Sequence, residues 1–175
     1  MIGPDTKNWT WVLTRACPEC GFDASTCRAD EVAGLVRENS QAWQRLGQAG
    51  AIRPGRPDEP TWSTLEYACH VRDVYRRFFK RIDLMLSEDD PAFGNWDQDA
   101  SAVEEAYDQQ VPAAVVGELA VAAEALASQL DQVQGPAWQR AGRRSDGASF
   151  RVETIASYMV HDTVHHLWDV DKQRV

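Results

Sequence analysis

Apolar residues recur at three- and four-residue steps over four long stretches of this chain, and each stretch is bounded by residues that stop a helix. The first covers roughly 29–48, with Asp30 near its start and Leu35, Val36, Trp43 and Leu46 as core candidates. Pro54, Pro57 and Pro60 then enforce a loop, because proline lacks an amide proton and its ring fixes φ. The second stretch, 63–87, opens with Ser63 followed three residues later by Glu66, the spacing of a capping box in which each side chain accepts from the other's free backbone amide. Its apolar stripe runs through Ala68, Val71, Tyr75, Phe78, Phe79 and Ile82. The third, roughly 112–133, is rich in Ala, Val and Leu and tolerates Pro112 in its first turn. The fourth runs from Glu153 with neither Gly nor Pro after it.

The segments between them are punctuated loops. The acidic crossing SEDDPAFGNWDQDASAVEEAYDQQ is broken at Pro91 and Gly94, and a helical turn or two is expected after Ser101. The run GPAWQRAGRRSDGASF, with Gly142 and Gly147, predicts a loop or irregular hairpin. Residues 1–28 carry Trp9, Trp11 and Val12 and then the turn-rich CPECGFD, an irregular or short-strand lead-in. The pattern therefore predicts an all-α fold: a four-helix bundle with a long crossover between helices 2 and 3 and an irregular N-terminal extension. One domain is expected over 1–175, divided into an extension (1–28) and a bundle (29–175).

Composition narrows the class. With 43% apolar residues and seven Trp in 175 residues, the chain has enough material for one full core. A net charge of −9 gives no electrostatic footprint for a phosphate backbone, so nucleic acid is not an expected partner. No stretch is expected to cross a membrane, and MIGPDTKNWTW lacks a basic start followed by an apolar run, so a cytoplasmic protein is expected. No phosphate-binding loop, dinucleotide fingerprint or nucleophile elbow is present.

The histidines carry the candidate chemistry. Residues four apart on a helix lie about 40° apart around its axis, whereas residues five apart diverge by about 140°. His165, rather than His166, is thus the partner of His161. A third ligand from another helix, His70, would complete a His₃ site with one tetrahedral position open, the arrangement of a catalytic metal. The same pair also arises by chance on a polar face. His70 sits off the centre of its stripe, beside Tyr67 and Val74, facing either a neighbouring helix or water.

Asp73, Asp162 and Asp169 have the spacing to orient an imidazole, although surface charge explains each as well. Tyr158, three residues before His161, is either a donor to substrate or a core aromatic, and Cys69 reads as a small buried hydrophobe. Cys17 and Cys20 form a single Cys-Pro-x-Cys-Gly turn with Cys27 beyond it. One pair does not make a closed zinc site, so reduced structural thiols, a knuckle completed by Cys27, and a disulfide all stay open.

Trp62-Ser63 leading into LEYACHVRD, together with YMVHDTVHHLWDV, resembles the DinB-like bundle family, also called the YfiT-like metal hydrolase and thiol-transferase group. The resemblance extends from Ala29 to Val175. It implies a divalent metal, zinc or alternatively nickel, held by His70, His161 and His165 at one end of the bundle. It also implies transfer of a low-molecular-weight thiol to a small electrophile, with metal-activated hydrolysis or a non-catalytic, self-pairing (homodimeric) metal-binding bundle as alternatives. The mycothiol-dependent maleylpyruvate isomerase branch of that family carries Glu in the place of His161, which disfavours isomerisation here.

Overall fold

The computed structural model describes residues 9–173. It contains helices α1 (Val32–Gln48), α2 (Thr64–Ser87), α3 (Gln98–Glu104), α4 (Pro112–Asp131) and α5 (Val152–Lys172). Helices α1, α2, α4 and α5 form the bundle, with α4 and α5 each packed against both α1 and α2. Trp43, Leu65, Tyr75, Phe78, Leu119, Leu126, Ile155 and Met159 fill the space between them. The expected all-α, four-helix architecture is present, with the long crossover between the second and third bundle helices.

Local chemistry explains the element boundaries. The Ser63 hydroxyl accepts from the Glu66 amide at 3.2 Å, and Glu66 Oε2 accepts from the Ser63 amide at 2.8 Å. The capping box therefore forms as the spacing predicted. The first expected helix begins as a 3₁₀ turn, Ala29–Glu31, before α1 proper. Helix α3 starts earlier than expected because Asp97, not Ser101, caps it, accepting from the Ala100 amide at 2.9 Å.

The lead-in is not strand among the described residues. It consists of 3₁₀ turns at Trp9–Leu13 and Ala24–Thr26, both laid against α5. A small sheet also joins two of the loops: β1 (Ala92–Phe93) pairs parallel with β2 (Ala141–Arg144), which pairs antiparallel with β3 (Ser149–Arg151). The β2–β3 turn uses Gly147 at φ +94°, a left-handed conformation that favours glycine. A two-residue strand carries no readable periodicity, and β1 was not foreseen.

Helix α4 corrects another expectation. Its 20 residues, with a mean hydropathy of 1.4 over the most apolar window, are long and apolar enough to cross a membrane by length and composition. In the fold, Val115, Leu119, Ala123, Leu126, Ala127 and Leu130 on this helix are buried within the bundle, while Val121 on the opposite side is exposed.

Candidate metal centre

Helix α5 carries two faces of candidate ligands, one residue out of phase. His161 and His165 share one face, and Asp162 and His166 share another about 100° around the axis. Each face meets a different partner. His70 on α2 meets Asp162 and His166, and their ligand atoms all lie within 4.8 Å of one another. Cys17 and Cys20 of the N-terminal segment meet His161 and His165 within the same limit.

In the first group, Asp162 Oδ1 stands 3.2 Å from His70 Nε2 and 3.1 Å from His166 Nε2. Donors held by a tetrahedral zinc through bonds of about 2.0–2.1 Å are separated by about 3.4 Å, so this spacing suits one ion. His166 Nδ1 lies 3.1 Å from Asp169 Oδ2, and Asp169 Oδ1 in turn receives Lys172 Nζ at 3.0 Å. His70 is fully buried between two indoles, stacked on Trp96 with ring centroids 4.9 Å apart and tilted against Trp62 at 5.3 Å.

Burial and charge act in opposition here. Burial alone would raise Asp162, yet the hydrogen bonds and charges of His166 and His70 hold it far below the usual carboxylate range. Burial disfavours charge on His166, but Asp162 and Asp169 outweigh it and raise the imidazole to about 9. On His70 burial wins, and its pKa is lowered. Burial likewise lowers His161 to about 4, with His165 beside it adding to the effect.

A cavity of about 80 Å³ opens over these residues, lined by Trp9, Gln98, Tyr158, His161, Asp162, His165 and His166. The Tyr158 hydroxyl lies 3.5 Å from Arg144 Nη1, and the Arg144 guanidinium sits over the Tyr158 ring at 5.6 Å.

The structure redistributes the expected ligands. His161 and His165 pair as their spacing required, but His70 does not join them, because it faces the adjacent stripe of α5. Helical phase tells which residues share a face, not which way that face points. Asp162 is placed as a ligand candidate rather than as an orienting group, and His166, set aside by the phase argument, is its partner four residues on. Asp169 orients His166. Asp73 orients no histidine: Arg72 holds it with two hydrogen bonds of 2.9 and 2.8 Å, and the Tyr107 hydroxyl donates to it at 2.7 Å. Cys27 stays outside the Cys17–Cys20 group, and Cys69 is buried as expected, its thiol 3.8 Å from the Tyr107 carbonyl. The missed signal was the Asp162–His166 spacing, which obeys the same four-residue rule as the histidine pair.

Residues 30–170 match the DinB superfamily, a span that holds His70 and both faces of α5. This chain belongs to the DinB superfamily. Among solved structures, this DinB-superfamily chain is similar to YfiT from Bacillus subtilis, described as a probable metal-dependent hydrolase with an unusual four-helix bundle topology. The two share 14% identity with a TM-score of 0.74, over 96% of this chain and 98% of that one. At that identity the likeness speaks to the fold. No curated protein matches the chain at a significant level.

Proposed function

We propose that this chain is a metal-dependent hydrolase of a small substrate, with the ion held by His70, Asp162 and His166. The observation that carries this reading is the convergence of two imidazoles and one carboxylate beside a cavity that Asp162 and His166 line. Two histidines and a carboxylate with a fourth position open form a ligand set of zinc hydrolases. When bound, the ion supplies a charge that brings the pKa of a coordinated water toward neutrality and polarises a carbonyl oxygen.

The chain's own residues do the rest. Asp169 accepts from Nδ1–H of His166, which fixes the tautomer that turns Nε2 toward Asp162 and the site. Trp62 and Trp96 flank His70 and keep water from its ring. The Tyr158 hydroxyl, on the cavity wall beside Arg144, is positioned to donate to a substrate oxygen. Zinc is the proposed ion, with nickel as the alternative.

The description of YfiT as a probable metal-dependent hydrolase supports hydrolysis over thiol transfer.

The test is to strip the protein with a chelator, reload it with zinc or nickel, and offer activated esters and small amides, with a thiol plus an aromatic electrophile in parallel. Ion-dependent hydrolysis that disappears in His70→Ala and Asp162→Asn is expected. Acceleration of thiol consumption without any hydrolysis would overturn the reading.

A further inference from the structure

We infer that Cys17, Cys20, His161 and His165 form a second, closed zinc site that fastens the N-terminal segment to α5. The inference does not depend on an ion at His70, because the two groups share no ligand.

A Cys-x₂-Cys turn and a His-x₃-His pair on a helix are the two halves of a Cys₂His₂ site, and neither half is complete alone. The fold brings these halves together, with all four ligand atoms within 4.8 Å of one another. Cys17 Sγ lies 3.7 Å from His165 Nδ1. With Zn–S of about 2.3 Å and Zn–N of about 2.0–2.1 Å, tetrahedral geometry places sulfur and nitrogen about 3.6 Å apart. Cys17, His161 and His165 are buried, and His161 Nε2 is a buried nitrogen with no hydrogen-bond partner among the described residues. A ligand bond would satisfy that atom, which otherwise bears the full cost of desolvation.

The surroundings are shaped for the same purpose. Pro18 follows Cys17, and Gly21 takes φ +76° directly after Cys20, so the chain turns back on itself. The Gly21 amide donates to the Cys17 carbonyl at 3.0 Å, and the Cys17 amide donates to the Phe22 carbonyl at 2.8 Å, locking the turn that presents both sulfurs. His165 Nε2 faces Glu19 at 3.7 Å and Asp169 at 3.8 Å, while Nδ1 on the other edge of the ring is turned toward Cys17. The rings of Trp9, Trp11 and Phe22 pack around His161 at 5.8, 6.4 and 5.9 Å, an apolar surround for the imidazole.

Four protein ligands leave no open position, so this zinc is structural. Its effect reaches the first site all the same, because Trp9, carried on the fastened segment, forms part of the cavity wall.

The experiment measures zinc and thiols together in the full chain. Titration with p-mercuribenzoate, which reacts with thiolates, should release one zinc per chain as Cys17 and Cys20 are consumed. Cobalt-substituted protein should show a sulfur-to-cobalt charge-transfer band that His70→Ala retains and the double variant Cys17→Ser, Cys20→Ser loses. Tryptic cleavage after the exposed Arg15 should accelerate by on the order of tenfold or more in Cys20→Ser and in metal-stripped wild type, as local opening becomes easier. Absence of the band in a folded, cobalt-loaded wild type, or mercurial titration that frees no zinc, would overturn the site. Because the wild-type arms need no substitution, the outcome does not hang on whether a variant folds, and the His70→Ala arm separates this site from the proposed catalytic one.

Discussion

Asp169 Oδ2 lies 3.1 Å from Nδ1 of His166, on the edge of the ring turned away from Asp162. A carboxylate behind a ligating imidazole fixes its orientation and raises its basicity, and loss of such a partner typically costs about 10–100-fold in metal affinity. Asp169→Asn is therefore expected to weaken the ion at His70, Asp162 and His166 by that factor. Competition against a zinc chelator in a Cys17→Ser, Cys20→Ser background reads this site with both thiols of the other removed. Unchanged affinity there would remove the assigned role of Asp169.

Asp73 gives the complementary expectation. It is a buried carboxylate tied to Arg72, Arg76 and Tyr107 rather than to a histidine. Removing its charge leaves the Arg72 guanidinium buried without its main partner, so Asp73→Asn should cost about 3 kcal/mol of stability. Zinc content should not move. Urea denaturation and metal analysis on one preparation distinguish the two effects.

Four helices were legible in the amino-acid pattern because their signals are local. The Ser63–Glu66 box needs only three residues of context, and the proline loop before it needs none from elsewhere. The grouping of the ligands was not local. Both the 161–165 pair and the 162–166 pair satisfy helical phase, and only the packing of α2 and of the N-terminal segment decides which pair meets His70. Cys17 and Cys20 lacked a visible second pair for a related reason: their neighbours are histidines far along the chain, already counted toward another site. The strand at Ala92–Phe93 is fixed by pairing with Arg143 and Arg144, which nothing in its own two residues announces.

The Glu66 carboxylate links pH to the fold. Burial would raise its pKa, but hydrogen bonds from Arg56 and Ser63 outweigh burial and lower it below the ordinary value of 4.5. A depressed folded pKa contributes stability that is present above the unfolded value and is lost as pH falls through the folded one. Melting temperatures should thus fall more steeply between about pH 5 and pH 3 in wild type than in Glu66→Gln. Parallel slopes in the two proteins would contradict this.

Gly142 permits a close approach beneath β2. A Cβ there would meet Met85 Cγ at 2.7 Å and Phe93 Cε1 at 3.0 Å. Gly142→Ala should cost about 1–3 kcal/mol by overpacking, measured from chemical denaturation. A neutral result would mean that Met85 yields more readily than a buried side chain should.

Cys17 and His165 are separated by 148 positions in sequence and by 3.7 Å in space. During synthesis the segment bearing the thiols leaves the ribosome long before α5 exists to receive it, since domains emerge N-terminus first. Closing so long a loop carries an entropic cost that only a formed bundle can offset. The arm therefore docks after the helices have assembled, and a nascent or truncated chain ending short of His161 carries two thiols without the His161–His165 pair to join them.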